Sequence, residues 1–580
     1  MTPFEIETFP YTKDAAKAWR REDERRGNWP VVYVLNGPEK PAPPSVYVGE
    51  TVNAGSRVLQ HLSNPLKQQF RQVRVVFDET FNKSACLDLE AHLIRWLAGD
   101  GQYQVANGNA GLIDSRYYER DVYRESFADI FEQLRAEGLF QRSLLEIENS
   151  DLFKLSPFKV LTPEQANAVE NILEGLFAAL KSGRPSVSAI EGHPGTGKTI
   201  VAIYIMELLA EIRDHEGFPP DSLFADFFIP ENKALLNGLR VGLVVPQQSL
   251  RESVRQVFKK TTKLSSDQVL DPFRVGEATD EWDLLIVDET HRLNHRANQS
   301  SAEQNNRFAR INESLFQSDD LSKTQVDWLR AKSRHQLFLV DAEQTVRPAD
   351  LPQKDLRDIL ELAQAGKRYF RLQTQMRVAA GTDYVAGVRA LLRGNPNAAA
   401  LKDIGEYDLR LFDDIGQMRD EIFAREAEFG LARVVAGFAW KWRSKGKANR
   451  DKIDIEIDGV QLRWNSTEKD WINKPGSLHE VGSIHTVQGY DLNYAGVVIG
   501  PDLRFDTATQ SLFIDRASYH DVRGKQNNRK RRITYSDDDL LVFIRNIYGV
   551  LLTRGMLGTY IYVCDAPLRE YLRENLPVAR

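Results

Sequence analysis

The chain has 580 residues, 42% hydrophobic and 27% charged, with a formal net charge of −6 at pH 7. This length predicts about three or four domains, and the composition predicts a soluble globular protein with an ample core. Two cysteines exclude a disulfide framework or a thiolate zinc site, and the sequence lacks an apolar run long enough for a bilayer or a signal pattern, so we expect a cytoplasmic protein.

The first predicted domain is a small mixed α/β unit over residues 30–116, which follows an N-terminal extension over residues 1–29. Short β-branched runs bounded by turn residues predict its strands at 31–35, 45–49 and 73–77. Helical patterns predict helices at about 53–63 and 84–98. The charged, helical pattern of residues 117–156 predicts a connector to the rest of the chain.

Chemically active side chains recur through this first domain. Tyr33 and Tyr47 occupy matching points of the first two strands. Arg57 and His61 are four positions apart on the predicted helix and therefore share a face. Glu90 lies on the apolar stripe of the second helix, where a carboxylate is costly unless it is paired or bound to a cation.

These residues resemble the GIY-YIG nuclease family over about residues 30–110. The two tripeptides that name the family correspond to Val31-Val32-Tyr33 and Tyr47-Val48-Gly49, so the first keeps only its tyrosine. The proline-rich loop between them is longer than usual. The resemblance implies a metal-dependent endonuclease with the candidate catalytic residues Tyr33, Tyr47, Arg57, His61, Glu90 and Asn107.

The resemblance also implies a role for each residue. Glu90 would hold Mg²⁺ or Mn²⁺, which acts as a Lewis acid at the phosphate, and Arg57 would clamp the same phosphate. Tyr33, with His61, would relay the proton from water. Tyr47 would hydrogen-bond the phosphate or the water.

Asn107 would brace the site by backbone contacts, although Asn107-Gly108 is also a common turn dipeptide. Packing explains the strand tyrosines equally well, and a surface position explains the histidine. A fold relic that binds nucleic acid without cutting it therefore stays open as an alternative.

Residues 192–199, Gly-His-Pro-Gly-Thr-Gly-Lys-Thr, fit the pattern G-x-x-x-x-G-K-[ST] at every fixed position. An apolar strand precedes them and an apolar helix follows, so loop N–H groups and a helix N-terminus would bind phosphate. Lys198 would meet the outer phosphates, and the Thr199 hydroxyl would hold Mg²⁺. The candidate nucleotide-binding residues are Gly192, Gly195, Thr196, Gly197, Lys198 and Thr199. We therefore expect ATP, with Mg²⁺, as the cofactor.

A second nucleotide signal is the apolar run 283–287, which predicts a buried parallel strand. Asp288 and Glu289 follow it, at the edge where open α/β sheets bind ligands. Asp288 would reach Mg²⁺, and Glu289 would orient or activate the attacking water. A solvated turn after the strand is the simpler explanation, but the phosphate loop favours the catalytic one.

From this point the chain resembles superfamily 1 helicases, and within them the bacterial Schlafen-group-3-like ATPase domain, over roughly residues 160–565. The matching segments, in order, are 161–165, 244–246, 288–292, 338–344, 375–377, 485–491 and 548–555. The resemblance implies two RecA-like parallel-sheet lobes, residues 157–372 and 373–580, with nucleotide in the cleft. The alternation of strands and helices predicts parallel sheets independently.

The further cofactor and catalytic residues implied by this resemblance are Gln165, Gln344, Arg377, Gln488, Gly489 and Arg554. Gln165 would read adenine and Gln344 would sense the γ-phosphate. Arg377 and Arg554 would reach from the second lobe and stabilise charge during phosphoryl transfer. Two simpler explanations stay open: a first-turn position after the candidate N-cap Thr162 for Gln165, and a strand-end position for Gln344.

Because the net charge is negative, a nucleic acid would have to be bound by local basic patches. Residues 20–26 mix both signs and predict a solvated helix face, whereas residues 523–532 are mostly basic. Phosphate contact and a solvated loop explain the second patch equally well. Trp328 is expected to pack in the core rather than to stack on bases.

The sequence as a whole predicts an α/β protein with a small GIY-YIG-like nuclease domain before two RecA-like lobes. We expect an ATP-dependent enzyme acting on DNA rather than RNA, in bacterial defence or repair, with no membrane partner. Two alternatives stay open: an ATP-gated switch that does not unwind its strand, and a remodelling ATPase with an inert N-terminal module. The pattern does not fix an oligomeric state.

Overall fold

The computed structural model describes residues 4–38, 43–107, 116–158, 160–216, 222–296, 299, 301–341, 343–376, 378–395, 401, 404–467, 470–487 and 489–576. Two compact units make up the chain. The N-terminal unit comprises Met1–Leu173, Thr199–Gly238 and Ser253–Gln268, and the C-terminal unit comprises Glu174–Lys198, Leu239–Glu252 and Val269–Arg580.

The N-terminal unit contains a five-stranded sheet of order β1-β4-β2-β3-β5. Its strands are β1 (Phe4–Pro10), β2 (Val31–Asn36), β3 (Ser45–Thr51), β4 (Gln72–Asp78) and β5 (Gln104–Val105). Neighbours are antiparallel except for β3 and β5. Val32 and Val34 pack into one core cluster and Tyr33 and Leu35 into another, so both faces of the sheet are covered.

The unit also contains helices, several of which begin at side-chain caps that the sequence supplies, such as Asn53 and Asn82. They are α1 (Lys13–Glu22), α2 (Ala54–Leu62), α3 (Lys83–Asp100), α4 (Arg120–Ala136), α5 (Leu144–Asn149), α6 (Asp151–Lys154), α8 (Lys198–Asp214) and α9 (Pro230–Leu236). Both α7 (Pro163–Ser182) and α10 (Gln248–Lys260) contribute residues to the two units.

The predicted strands and helices between residues 31 and 98 are confirmed. The treatment of residues 1–29 as an extension is corrected, because β1 pairs with β4 from Phe4↔Asp78 to Pro10↔Gln72 and forms an edge of the same sheet. Its sequence alternates apolar and polar residues only over Phe4-Glu5-Ile6-Glu7, a short run that was not identified as a strand.

The C-terminal unit contains two all-parallel sheets, of order β11-β6-β10-β9-β7-β8 and β12-β20-β17-β13-β16. The first lobe's strands are β6 (Ser186–Gly192), β7 (Val241–Val244), β8 (Val269–Leu270), β9 (Trp282–Val287), β10 (Ser333–Val340) and β11 (Tyr369–Leu372). The second lobe's strands are β12 (Asp408–Phe412), β13 (Ala432–Ala436), β16 (Val481–Ser483), β17 (Leu492–Ile499) and β20 (Gly555–Val563).

Helices and two hairpins complete this unit. The helices are α11 (Pro272–Glu277), α12 (Ala302–Phe316), α13 (Gln325–Ala331), α14 (Gln353–Ala365), α15 (Gly381–Leu392), α16 (Ile415–Phe429), α17 (Ile484–Val487), α18 (Asp537–Leu552) and α19 (Ala566–Arg573). The hairpin strands are β14 (Ile455–Ile457), β15 (Val460–Leu462), β18 (Leu503–Asp506) and β19 (Ser511–Ile514).

The predicted α/β class, with two RecA-like parallel-sheet lobes, is confirmed. Trp328 packs as predicted: it is fully buried, and its ring centroid lies 4.3 Å from that of Phe308. Within the described ranges, none of the helices combines the length and the apolar character that a bilayer crossing requires.

Candidate active sites

Tyr33 and Tyr47 lie on neighbouring strands, with their ring centroids 6.3 Å apart. Tyr33 is opposite Gly49 in the β2–β3 register and is fully buried. A Cβ at position 49 would overlap the Tyr33 phenol oxygen. Gly49 therefore leaves the space in which the Tyr33 ring crosses the strand, which gives a physical reason for the glycine of the second tripeptide.

The phenol of Tyr33 is hydrogen-bonded to the imidazole of His61, at 2.7 Å from Oη to Nε2. The Lys67 Nζ atom lies 3.5 Å from the same nitrogen. Burial, then the Lys67 and Arg57 charges, lower the pKa of His61 to about 3, so the ring is neutral. A neutral ring beside an ammonium places its lone pair on Nε2, and Tyr33 then donates its proton to His61.

Lys67 was not predicted as a site residue. It ends the short 3₁₀ turn Pro65–Lys67, and its Nζ lies 3.2 Å from the ring centroid of Tyr47. Burial, reinforced by Arg57, lowers the pKa of Lys67 to about 7. A lone lysine between a helix and a strand carries no sequence signal, because only the folded backbone brings it to the two rings.

Arg57 lies one turn before His61 on α2, and its side chain is exposed. Burial raises the pKa of Tyr33 and of Tyr47, and the Arg57 guanidinium opposes both shifts. The predicted arginine therefore lies near both phenols and remains accessible to a substrate.

Glu90 projects from α3, one turn after the buried Cys86, and is half-buried. Burial and the nearby carboxylate of Glu50 raise the pKa of Glu90 to about 7, against the lowering effect of Arg57. A carboxylate in this environment is stabilised by a cation, and its oxygens suit Mg²⁺. Within the described residues, no group of three or more His, Cys, Asp or Glu side chains could hold a metal, so a cation here would have Glu90 and at most one further ligand of these types.

Asn107 is buried and makes two hydrogen bonds to the backbone of Val48 on β3. Its Oδ1 accepts from the Val48 N–H at 3.0 Å, and its Nδ2 donates to the Val48 carbonyl at 2.8 Å. This pairing braces the strand immediately beside Tyr47, in agreement with the bracing contacts predicted for Asn107.

In the C-terminal unit, the phosphate loop follows β6, and Gly195 and Gly197 have φ angles of +84° and +80°. Only glycine adopts this backbone readily, and it turns successive N–H groups into the loop. Lys198 Nζ donates to the carbonyls of Gly192 at 2.6 Å and His193 at 3.0 Å. The Thr196 hydroxyl donates to the His193 carbonyl at 3.0 Å. A phosphate would replace the loop carbonyls as the partner of Lys198, so the loop fits a nucleotide.

Asp341 and Gln344 follow β10 and approach this lysine. Asp341 Oδ2 lies 3.8 Å from the Lys198 ammonium. The side-chain amide of Gln344 donates a hydrogen bond to the same oxygen at 2.8 Å. The Gln344 carbonyl oxygen is buried with no hydrogen-bond partner among the described residues. Gln344 therefore belongs to the network around Lys198 instead of simply ending a strand.

Asp288 and Glu289 follow β9, as predicted. Asp288 is buried, and its carboxylate accepts the N–H of Glu289 at 2.8 Å. Glu289 has a φ angle of +46°, an unusual conformation that is common at functional sites. Burial alone would raise its pKa, but His291, 3.0 Å away, and then Lys198 and Arg554 lower it. Glu289 is therefore ionised and able to orient a water.

The second lobe meets the phosphate loop through residues that precede α15. The Gln375 side chain donates to the Pro194 carbonyl at 2.7 Å, and the Met376 N–H donates to the Gly195 carbonyl at 2.9 Å. Arg377, the next residue of this predicted motif, lies outside the described residues, as does Gln488.

Arg554 and Gly489 of the second lobe both lie close to residues of the first lobe. Arg554 is buried and donates to the Tyr490 carbonyl at 3.0 Å, close enough to Glu289 to lower the pKa of that carboxylate. Gly489 has a φ angle of +90°, and a Cβ there would lie 3.2 Å from the Gln247 side chain of the first lobe. Arg554 therefore lies near Glu289, and Gly489 lies against a different first-lobe residue, Gln247.

Two predicted residues belong to the N-terminal unit. Gln165 forms a capping box with Thr162: its Oε1 accepts from the Thr162 N–H at 3.1 Å, and Thr162 Oγ1 accepts from the Gln165 N–H at 3.2 Å. This contact supports the simpler explanation of Gln165 as a first-turn residue. Thr199 is the second residue of α8.

Sequence reasoning missed Asp341 and His291 in this site. Asp341 comes directly after a buried strand, and the rule that identified Asp288 would also have identified it. His291 had only its position within the predicted acidic motif as a signal.

A family comparison decides the identity of the second part of the chain. The model of the Schlafen group 3, DNA/RNA helicase domain matches residues 185–565, well over half of the sequence. The protein belongs to the Schlafen group 3 helicase family. This confirms the predicted Schlafen-like, helicase-type domain, and the family is one of NTP-hydrolysing, nucleic-acid-processing proteins.

The Schlafen group 3 chain is also similar to the uncharacterized protein YPL245W of Saccharomyces cerevisiae, at 27% identity over 439 residues, covering 71% of this chain and 90% of the yeast protein. Among solved structures, it is similar to the arterivirus nonstructural protein 10 helicase (12% identity, TM-score 0.28), covering 69% of this chain and 64% of that one, less than two thirds. A Pif1 helicase matches at 11% identity and TM-score 0.25, covering 70% of this chain and 92% of that one.

The family match of the Schlafen group 3 domain begins at residue 185. The GIY-YIG resemblance of the N-terminal residues therefore stays a prediction.

Proposed function

We propose that this Schlafen group 3 protein is an ATP-dependent nucleic-acid-processing enzyme whose N-terminal unit hydrolyses phosphodiester bonds. The observation that carries the proposal is the convergence on His61 Nε2, which lies 2.7 Å from the Tyr33 phenol and 3.5 Å from Lys67. Tyr47 and Arg57 flank this centre. A phenol, an imidazole and a cation within reach of one another are the kinds of group that phosphodiester hydrolysis uses to handle protons and phosphate charge.

The cutting site would work through these residues in sequence. Tyr33, whose phenol is hydrogen-bonded to His61 Nε2, would relay the proton of the attacking water. Arg57, exposed at the rim, stabilises the charge that develops on the phosphate. Mg²⁺ held by Glu90 would supply Lewis acidity at the phosphate. Asn107 keeps β3, and so Tyr47, in place.

The ATPase site would act through charge and position. Lys198 is placed to hold the outer phosphates, and Thr199 and Asp288 would hold Mg²⁺, whose chemistry is to neutralise phosphate charge. Glu289, kept ionised by His291, orients the attacking water. Arg554, and Arg377 as proposed from its motif, stabilise the charge that develops during transfer.

We further propose DNA as the substrate, defence or repair as the setting, and a domain order of nuclease (30–116, together with the edge strand β1), connector (117–156) and two lobes (157–372 and 373–580). The second lobe hydrogen-bonds the phosphate loop through Gln375 and Met376, which supports movement of the lobes with nucleotide state. Such movement would carry the chain along a strand.

The test is cutting of labelled single- and double-stranded DNA and RNA in Mg²⁺, with ATP, with a non-hydrolysable analogue and without nucleotide. We expect DNA to be cut, Glu90→Ala to abolish cutting with ATP hydrolysis retained, and Lys198→Ala to abolish hydrolysis. Equal cutting by the wild type and Glu90→Ala would refute the nuclease site.

A strand-displacement assay under the same conditions separates a motor from a switch. Displacement that requires hydrolysable ATP supports translocation. Cutting that responds to ATP without displacement would replace the motor with an ATP-gated switch.

A further inference from the structure

A strongly basic segment follows β13 of the second lobe, and sequence reasoning did not select it. We call residues 438–452 the basic-aromatic loop. Its basic residues, against the single acid Asp451, are Lys441, Arg443, Lys445, Lys447, Arg450 and Lys452. The loop leaves the carboxyl end of a central parallel strand, which is the sheet edge where ligands bind in this class of fold.

The positive charge of this loop is exposed. Lys441, Arg443, Lys445 and Lys452 are all exposed, and within the described ranges none has a carboxylate within 4 Å. Asp451 lies 4.0 Å from Arg463, a further exposed cation. An unneutralised cluster of this kind attracts a polyanion and releases counterions when one binds.

The loop is nevertheless rigidly built. The buried carboxylate of Asp454 accepts the N–H groups of Arg443 at 2.5 Å, Ser444 at 2.8 Å and Trp464 at 2.9 Å. The Ser444 hydroxyl donates to the same carboxylate at 2.6 Å. These bonds fix the backbone from which the basic side chains extend, so little order is lost when a ligand binds.

Aromatic rings alternate with the cations. Trp442 is half-buried, its indole N–H donates to Ser444 Oγ at 3.1 Å, and the Lys445 ammonium lies 5.1 Å from its ring centroid. Phe438 lies 6.2 Å from Trp442 and is stacked on Trp464 at 5.2 Å. A held indole with a cation over its face is a platform on which a base can stack.

The inner end of the loop contacts the predicted coupling motif of the ATPase. The Phe438 ring lies 5.6 Å from that of His485, and the Phe438 carbonyl accepts the His520 N–H at 2.7 Å. His485 lies 3.3 Å from Asp521. A ligand on Trp442 would therefore be separated from His485 of the predicted coupling motif only by the ring of Phe438.

The other basic segment of this lobe, residues 523–532, makes hydrogen bonds to residues of the first lobe. The Arg531 guanidinium donates to His295 at 2.5 Å, and the buried Asn528 donates to the Arg296 carbonyl at 3.1 Å. The basic-aromatic loop is the better candidate for an external partner.

We propose that the basic-aromatic loop binds single-stranded nucleic acid, with one base stacked on Trp442 in the place of the Lys445 ammonium. Lys441, Arg443 and Lys445 contact phosphates on either side of that base. A single strand is selected because only unpaired bases expose their faces to an indole. The inference rests on the proposed nucleic-acid function and assigns the surface on which the strand lies.

The test is fluorescence anisotropy of labelled oligonucleotides with the full chain over a salt series. The triple variant K441A/R443A/K445A should bind single strands at least tenfold more weakly and lower the salt slope by about 2, at about 0.7 per phosphate contact. The control variant R330A/K354A/R357A removes three exposed first-lobe cations and should bind as the wild type does.

Trp442→Ala should weaken single-strand binding about tenfold, and Trp442→Phe should restore most of it, because any aromatic face supports stacking. Thermal unfolding of each variant checks that it folds. If the wild type binds single strands and the triple variant binds them equally well, the loop is not the surface, although the proposed function stands. If the wild type binds no nucleic acid, the loop proposal and the proposed function both fail. Equal loss of duplex and single-strand binding, with no effect of Trp442→Ala, overturns the stacking proposal.

Discussion

Replacing Glu90 with glutamine tests the candidate metal site without measuring activity. Burial and Glu50 raise the pKa of Glu90 from its ordinary 4.5 to about 7. The folded chain therefore binds this proton more tightly than the unfolded chain, and stability falls as the pH rises from about 4.5 to about 7. Each unit of pKa is worth about 1.4 kcal/mol, so an ionised Glu90 costs about 3 kcal/mol above pH 7.

The glutamine of the Glu90→Gln variant cannot ionise, so the variant does not pay the free-energy cost of a buried charge at this position. We expect the variant to be more stable than the wild type by about 3 kcal/mol at pH 8, with about 2 kcal/mol of that gain appearing between pH 5 and pH 8. Hydrogen exchange of the α3 amides measures the local free energy of unfolding, which a global melt of a chain with several domains does not resolve.

Mn²⁺ provides the second half of the test. At pH 8, Mn²⁺ should slow hydrogen exchange of the α3 amides in the wild type, because an ion that binds only the folded state stabilises that state. The ion should leave the exchange of Glu90→Gln unchanged. Glu79→Gln, at a side chain that is 81% exposed, is the matched control and should shift neither quantity. Equal pH dependence of the wild type and Glu90→Gln, with Mn²⁺ protection of both, would refute the buried cation site.

Three further predictions test the two sites. Gly49→Ala should destabilise the N-terminal unit by about 1–3 kcal/mol in chemical denaturation, because its Cβ would overlap Tyr33, whereas Gly27→Ala faces open space and should be neutral; equal effects would contradict the steric reason. Tyr33→Phe should slow DNA cutting about 100-fold in a nicking assay without weakening Mn²⁺ protection, and an unchanged rate would remove the phenol from the proton path. Glu289→Gln should bind a fluorescent ATP analogue as the wild type does but release phosphate at least 100-fold more slowly, and wild-type turnover would exclude it as the residue that orients water.

The elements that the sequence predicted best depend on local pattern. The strands around Tyr33 and Tyr47 are runs of valines between turns, and the phosphate loop is a contiguous motif whose glycines need positive φ angles. Both follow from residues that are neighbours in the chain. Trp328, which was predicted to pack in the core, is fully buried.

The parts that escaped prediction depend on contacts between distant segments. β1 has a short alternating pattern, but its place at the edge of the sheet depends on its partner β4, some 70 residues away in the chain. Lys67 acquires its role from two rings on other elements. Charge density alone selected residues 523–532, because no pattern in the sequence reveals that Arg531 is hydrogen-bonded to His295.

The contacts of the phosphate loop give a physical link between nucleotide binding and the second lobe. The Lys198 ammonium donates to the carbonyls of Gly192 and His193. The Gln375 side chain and the Met376 N–H donate to the next two carbonyls of the loop, those of Pro194 and Gly195. Phosphates that draw Lys198 away would release the carbonyls of Gly192 and His193, which directly precede the two carbonyls that the second lobe contacts. We therefore expect nucleotide binding at the first lobe to shift the contacts that Gln375 and Met376 make with the loop.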